Sequence, residues 1–314
     1  MNAVHDPQNP EAAAPRSARR GLEALEAESI HILREVAADC RQPVLLYSGG
    51  KDSAVVLHLA AKAFYPGRVP FPLLHIDTGH NYPEVLAYRD RMAAHYGATL
   101  WIRSVEDSIS RGSVVVKHSL ESRNPHQAVT LREAIEELAI DACIGGARRD
   151  EEKARSKERV FSFRDREGGW DPRSQRPELW QLFNTRLQRG ENLRVFPLSN
   201  WTELDVWHYL RQERIDLPEL YFAHDRLVVL RDDLLYPITP LTPAAPGEEP
   251  IPIRCRFRTV GDIPCTAPIR SSATTLDEIL VETLTSRVTE RGATRLDDRE
   301  AQASMERRKK AGYF

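Results

Sequence analysis

Ser48-Gly-Gly-Lys-Asp-Ser53 packs two glycines, a lysine, a carboxylate and two hydroxyls between an apolar run and a helix-forming one. Gly49 and Gly50 allow a tight turn and close backbone approach to a ligand, and Asp52 and Ser53 are residue types that cap a helix. The helix predicted over residues 54–64 stops at Pro66-Gly67. Its unpaired amides and positive end would point into the loop, where Lys51 adds a full charge. Anion binding is the chemistry this arrangement suits. A strand–turn–helix with a solvent-facing lysine would show the same local pattern without a ligand. Because Asp52 follows the lysine, the loop is not of the Walker type, which requires G-x-x-x-x-G-K-[ST].

A second basic constellation is Gly145-Gly-Ala-Arg-Arg-Asp-Glu-Glu-Lys-Ala-Arg-Ser-Lys-Glu-Arg159. Gly145 and Gly146 again permit close approach, and Arg148, Arg149 and Arg155 offer guanidinium forks that match sulfate or phosphate. The competing reading is a solvated helix whose Asp150, Glu151 and Glu152 pair with Lys153, Arg155 and Lys157. Its place after a strand-terminal Gly-Gly favours anion binding. Asp77, Thr78 and Gly79 close a further apolar run. They are either site residues or, for Asp77, a cap on the helix predicted from Pro83 to Tyr96.

The elements that must position these groups alternate. Strands are predicted at residues 44–47, 71–79, 99–103, 141–146 and 192–200, with helices at 21–36, 54–64, 83–96, 128–140 and from Trp201. Alternation at this spacing gives an α/β fold with a doubly wound, mainly parallel sheet, whose strand ends line the ligand crevice. Thr202 and Asp205 have the spacing of a capping box. Phe161-Ser-Phe-Arg164 and the stretch from Trp170 to Trp180 read as an ordered loop. From Tyr236, Pro237, Pro240, Pro243, Pro246, Pro250 and Pro252 suggest a linker to a C-terminal arm. In that arm Arg254, Arg256 and Arg258 alternate as on an edge strand, guarding the edge or reaching the anion site, and a helix follows over 275–289. The expected organisation is a flexible tail at 1–20, a nucleotide-binding catalytic domain at 21–235, and the linker and arm at 236–314.

The formal net charge of -2 with 29% charged residues gives mixed charge, and nothing in it asks for nucleic acid. No run is apolar and long enough for a membrane span, and four cysteines without a C-x-x-C pair read as reduced thiols of a protein expected in the cytoplasm. Cys40, Cys143, Cys255 and Cys265 form no C-x-x-C pair, and no bound metal of the protein's own is expected from them.

Ser48–Ser53 resembles the pyrophosphate (PP) loop of the ATP pyrophosphatases, adenine-nucleotide alpha hydrolase-like proteins that split ATP between its α and β phosphates. With His75-Ile-Asp-Thr-Gly79, Gln175-Arg-Pro-Glu-Leu-Trp180, Phe196-Pro-Leu-Ser-Asn-Trp-Thr-Glu203, Arg256-Phe-Arg-Thr259 and Gly312-Tyr-Phe314, the chain resembles the small, catalytic subunits of bacterial two-subunit sulfate adenylyltransferases. That resemblance implies formation of adenosine 5′-phosphosulfate and pyrophosphate from ATP and sulfate, with Mg²⁺ bound to ATP and a GTPase large subunit as partner. It departs from some members at His80-Asn-Tyr-Pro-Glu84. On this reading Ser48, Gly49, Gly50, Lys51, Asp52 and Ser53 surround the β- and γ-phosphates. Arg148, Arg149 or Arg155 holds sulfate, and Asp77 lies near the nucleoside or Mg²⁺, with Gly79, Gly145 and Gly146 beside the nucleotide. A reductase of the same superfamily would carry a C-terminal Glu-Cys-Gly-x-His, and a tRNA-thiolating relative would carry C-x-x-C pairs; the sequence has neither. A non-catalytic nucleotide-binding scaffold or sensor, or a PP-loop enzyme with another acceptor, would use the same loop.

Overall fold

The computed structural model describes residues 16–118, 121–151, 155–231 and 234–286. The tail expected at 1–20 lies outside them except for residues 16–20, which start α1 (Arg16–Asp39). Lys153, the Gly312-Tyr-Phe314 motif and the end of the helix expected at 275–289 also lie outside.

The main sheet contains β1 (Pro43–Leu46), β2 (Leu73–Asp77), β3 (Leu100–Ser104), β4 (Ala142–Ile144), β5 (Phe161–Arg164) and β6 (Asn192–Val195), in the order β3-β2-β1-β4-β6-β5. All neighbouring pairs are parallel except β5–β6. Residues 161–164, expected as loop, thus form an antiparallel edge strand. Glu178 accepts the Val160 and Phe161 N–H groups, and Gln175 accepts that of Phe163, so side chains of the following segment complete that edge.

Alternation along the central strands divides the core. Leu45, Leu73, Ile144 and Val195 bury against α1, α2 (Lys51–Phe64), α3 (Pro83–His95) and α6 (Glu203–Glu213). Val44, Leu46, Leu74 and Cys143 bury against α4 (Val105–Ser110) and α5 (Gln127–Glu137). Strands covered on both faces need apolar residues at every position, which is why the Val44-Leu-Leu-Tyr47 run contains no polar break. Thr202 and Asp205 form the expected capping box on α6.

Past Ala223 a second sheet takes over: β7 (His224–Arg231), β8 (Leu234–Pro237), β9 (Ile251–Arg256) and β10 (Ile269–Arg270), antiparallel in the order β10-β9-β7-β8. The boundary expected between 235 and 236 falls inside β8, and the proline-rich stretch runs from β8 to β9, both of which pair with β7. Nor is β9 an edge, since it pairs with both β10 and β7. Arg254 is exposed, whereas Arg256 and Arg258 are buried against Glu282 and Glu203. A capping box at Thr275 and Glu278 starts α7 (Leu276–Thr285).

Candidate nucleotide site

Strand order reverses between β1 and β4, so their carboxyl ends open into a crevice. A cleft of about 1250 Å³, open to solvent, occupies it. Ser48, Gly50, Lys51, Asp52 and Ser53 form one wall, and Gly145, Gly146, Glu151 and Arg155 another. The ends of β1 and β2, Tyr221 and residues 259–262 complete it.

The loop's geometry follows from its residue types. Gly49 has φ +78°, and a Cβ there would lie 2.8 Å from Val85 Cγ1, so this turn needs glycine for both backbone and packing reasons. Gly49 therefore packs on α3 and does not line the cleft. Gly50 is the N-cap of α2. Asp52 and Ser53 lie in the first helical turn and do not cap it as expected; Ser53 Oγ donates to the Gly50 carbonyl at 2.8 Å. The Lys51 amide donates to the Tyr221 hydroxyl at 2.9 Å.

The two cations beneath the loop, Lys51 and Arg148, are buried and paired with carboxylates, the condition for keeping ions in a core. Lys51 Nζ lies 2.8 Å from Asp52 Oδ2 and 6.0 Å from the centre of the Trp207 ring. Arg148, 1% exposed, donates from Nε to Asp52 Oδ1 at 2.9 Å and from Nη1 to Asp150 Oδ1 at 2.6 Å. Burial pushes Asp52 upward, but the Lys51 and Arg148 cations outweigh it and hold the carboxyl below its ordinary range. At Asp150 burial wins over Arg148, and the carboxyl is raised.

The three arginines predicted to hold sulfate therefore separate. Arg155 is buried in the cleft wall, with Nε 3.1 Å from Glu151 Oε2. Arg148 braces Asp52 behind the wall. Arg149 reaches Asn200 Oδ1 at 2.6 Å and also lies outside the lining. Of the solvated-helix alternative, the described part keeps the Glu151–Arg155 pair but not the helix, since residues 155–157 form a single 3₁₀ turn.

Asp77 and Gly79 do not line the cleft. Asp77 Oδ1 accepts the Gly79 amide at 2.8 Å and closes its own turn, while Tyr82 holds the N-cap position of α3. The same turn carries the second sheet's connection: Thr78 Oγ1 donates to Asp262 Oδ1 at 2.7 Å, and the Ile263 amide donates to the His80 carbonyl at 2.9 Å. Asp262 is 1% exposed and lines the cleft. Sequence reasoning missed Tyr221 and residues 259–262. Only the small, polar run Thr259-Val-Gly-Asp262 after Arg256-Phe-Arg hinted at a loop there.

Comparison with known proteins identifies the family. Residues 42–268 match the phosphoadenosine phosphosulfate reductase domain. Sulfate adenylyltransferase subunit 2 of Mycolicibacterium vanbaalenii is 57% identical over 293 residues, 93% of this chain and 94% of the relative. The protein of that name from Mycobacterium tuberculosis matches to the same extent, 57% over 293 residues. Among solved structures, Candida glabrata FMN adenylyltransferase in complex with FMN and the ATP analogue AMPCPP has a TM-score of 0.52 at 14% identity, covering 94% of this chain and 85% of that one. At that identity the likeness shows a shared fold. A switch-point cleft walled by the Ser48–Ser53 loop, within a chain so close to these relatives, places the protein in the sulfate adenylyltransferase subunit 2 family, built on the phosphoadenosine phosphosulfate reductase domain.

Proposed function

We propose that the chain transfers the adenylyl group of ATP to sulfate, forming adenosine 5′-phosphosulfate and releasing pyrophosphate, in the cytoplasm and with a GTPase large subunit as partner. The observation that carries this is 57% identity over 93% of the chain to proteins named sulfate adenylyltransferase subunit 2. That name makes the relatives one part of an enzyme with more than one subunit. Among the described residues no helix is long and apolar enough to cross a membrane.

A sulfate oxygen attacks the α-phosphorus, the α–β anhydride bond breaks, and its electron pair leaves on pyrophosphate. Sulfate is already an anion, so no general base is needed; the barrier lies in bringing anions together in line. Lys51 and the amides of the first turn of α2 stabilise charge developing on pyrophosphate, and Arg155 faces sulfate from the opposite wall. Arg148 acts indirectly, by keeping Asp52 and the loop in place. Mg²⁺ would arrive on ATP, since it favours phosphate oxygens with one or two carboxylates. Asp262, on the cleft wall, would share it and takes the place expected for Asp77.

A reductase chemistry would need a reactive thiolate. Cys143, Cys255 and Cys265 are buried, and burial, reinforced by Asp141 and Asp39, pushes the Cys40 thiol up to about 12. Because the mixed anhydride product is high in energy, GTP hydrolysis by the partner would supply the drive. The test is sulfate-dependent pyrophosphate release from ATP, with and without GTP and a candidate GTPase subunit. Release that requires sulfate and rises with partner and GTP supports the reading. No sulfate dependence in the assembled complex rejects sulfate as acceptor.

A further inference from the structure

The cleft's walls come from distant parts of the chain. Asp52 and Gly146 belong to the main sheet's crevice, whereas residues 259–262 follow β9 of the second sheet. A chain of charged groups joins them, in which Arg148, Glu203 and Arg258 are buried. From Asp52, Arg148 reaches Asp150, and Asp150 Oδ2 accepts the Glu203 amide at 2.9 Å, at the first turn of α6. The Glu203 carboxylate then takes a two-point fork from Arg258, Nε to Oε1 at 2.9 Å and Nη2 to Oε2 at 2.6 Å. Trp207 Nε1 donates to the same Oε1 at 3.3 Å, and Arg258 Nη1 donates to Ser286 Oγ at 3.0 Å. Both members of the fork are buried.

We infer that Glu203 and Arg258 are positioning residues, which seat residues 259–262 against the phosphate loop and thereby set the affinity of the cleft for ATP. Three observations converge on that role. Arg258 immediately precedes the wall residues, so its guanidinium fixes where that segment leaves β9. Glu203 lies on α6 beside Trp207, whose ring also faces Lys51 and Tyr221, so the clasp and the loop share one wall of side chains. A planar fork fixes direction as well as distance, which a lysine ammonium cannot do. Burial pushes the Glu203 carboxyl upward, yet Arg258 and the Lys51 charge hold it below its ordinary range, so it stays ionised for the fork.

The inference rests on reading the cleft as a nucleotide site, and ATP binding without sulfate tests it separately from the transfer reaction. Calorimetric ATP affinity, ATP and sulfate KM, and the unfolding midpoint would be measured for the full chain as wild type, Arg258→Gln, Arg258→Lys and Glu203→Gln. Loss of positioning should weaken ATP binding by on the order of tenfold in Arg258→Gln, with sulfate KM changed by less than about twofold and partial recovery in Arg258→Lys. Should Arg258→Gln not fold, the near-isosteric Glu203→Gln reads the same shift. Folded variants that bind ATP like the wild type would overturn the inference and leave the clasp a structural ion pair. Wild type that binds ATP without sulfate-dependent turnover would overturn only the acceptor. Wild type that binds no ATP would overturn both.

Discussion

Two Gly-Gly junctions end neighbouring parallel strands, β1 and β4, and place their first cations differently: Lys51 lines the cleft and Arg148 lies behind its wall, although both reach Asp52. At the first, Gly49-Gly50 leads straight into α2, whose opening turn lines the cleft. At the second, Gly145-Gly146 leads into a turn that folds back onto the first. A Cβ on Gly146 would lie 2.9 Å from Asp52 Cβ and 3.0 Å from its carbonyl carbon, so only glycine lets the two segments meet. Arg148 then neutralises Asp52, and Arg155 alone of the three candidate arginines enters the cleft wall. Glycine followed by basic residues thus signals a junction at a strand end. It does not tell which cation meets the ligand and which meets a carboxylate.

The largest effect should come from breaking the join itself. Arg148→Ala leaves Asp52 and Asp150 with a deleted buried partner, and should cost about 3–5 kcal/mol of stability in chemical denaturation. The protein that remains folded should keep its sulfate KM. A raised sulfate KM at unchanged stability would return Arg148 to the substrate. Next in size, Lys51→Ala on the other side of the join should lower turnover by on the order of 10². Near-normal turnover would reject its role toward departing pyrophosphate.

How much of this was legible in the sequence depends on range. Periodicity and turn chemistry are local, so the alternation of Val44–Tyr47, α2 and β2 into a doubly wound sheet was readable, as was the Thr202–Asp205 cap. The strand at 161–164 was missed because the run is only four residues long and its edge is completed by Glu178 and Gln175 from outside it. Counted prolines suggested a linker, yet they run from β8 to β9, which flank the same strand, β7, and pair with it. Tyr221 reaches the phosphate loop across 170 residues of sequence, and Arg258 reaches Glu203 across 55. Such contacts depend on tertiary packing, and residue type alone does not announce them. The loop itself was found because its chemistry is contiguous.

A finer division falls between the arginines of the second junction. Arg155→Ala should raise sulfate KM by about tenfold, a loss of roughly 1.4 kcal/mol of binding, because Arg155 lines the cleft. Arg149→Ala, which loses the Asn200 contact at a half-exposed position, should leave sulfate KM within about twofold. Steady-state kinetics at saturating ATP separates them, and reversed effects would move the sulfate site outward.

The smallest effect is on pH, and it sharpens the contrast between Asp52 and Asp150 across one guanidinium. Asp52 is held below its ordinary range by Lys51 and Arg148, despite burial, so the unfolded chain binds its proton before the folded one does. Its contribution to stability is therefore present above the ordinary carboxylate pKa of about 4 and is lost as pH falls through the folded value. Asp150 runs the other way: burial raises it, the folded chain protonates first, and its charge opposes folding at higher pH. The two slopes partly cancel. Denaturation between about pH 6 and pH 3 should show stability falling with acid in the wild type. Asp52→Asn removes the first slope and keeps the second, so its stability should fall less steeply over the same range. An equally steep fall in Asp52→Asn would mean that the Asp52–Arg148 contact does not carry the acid sensitivity of the join.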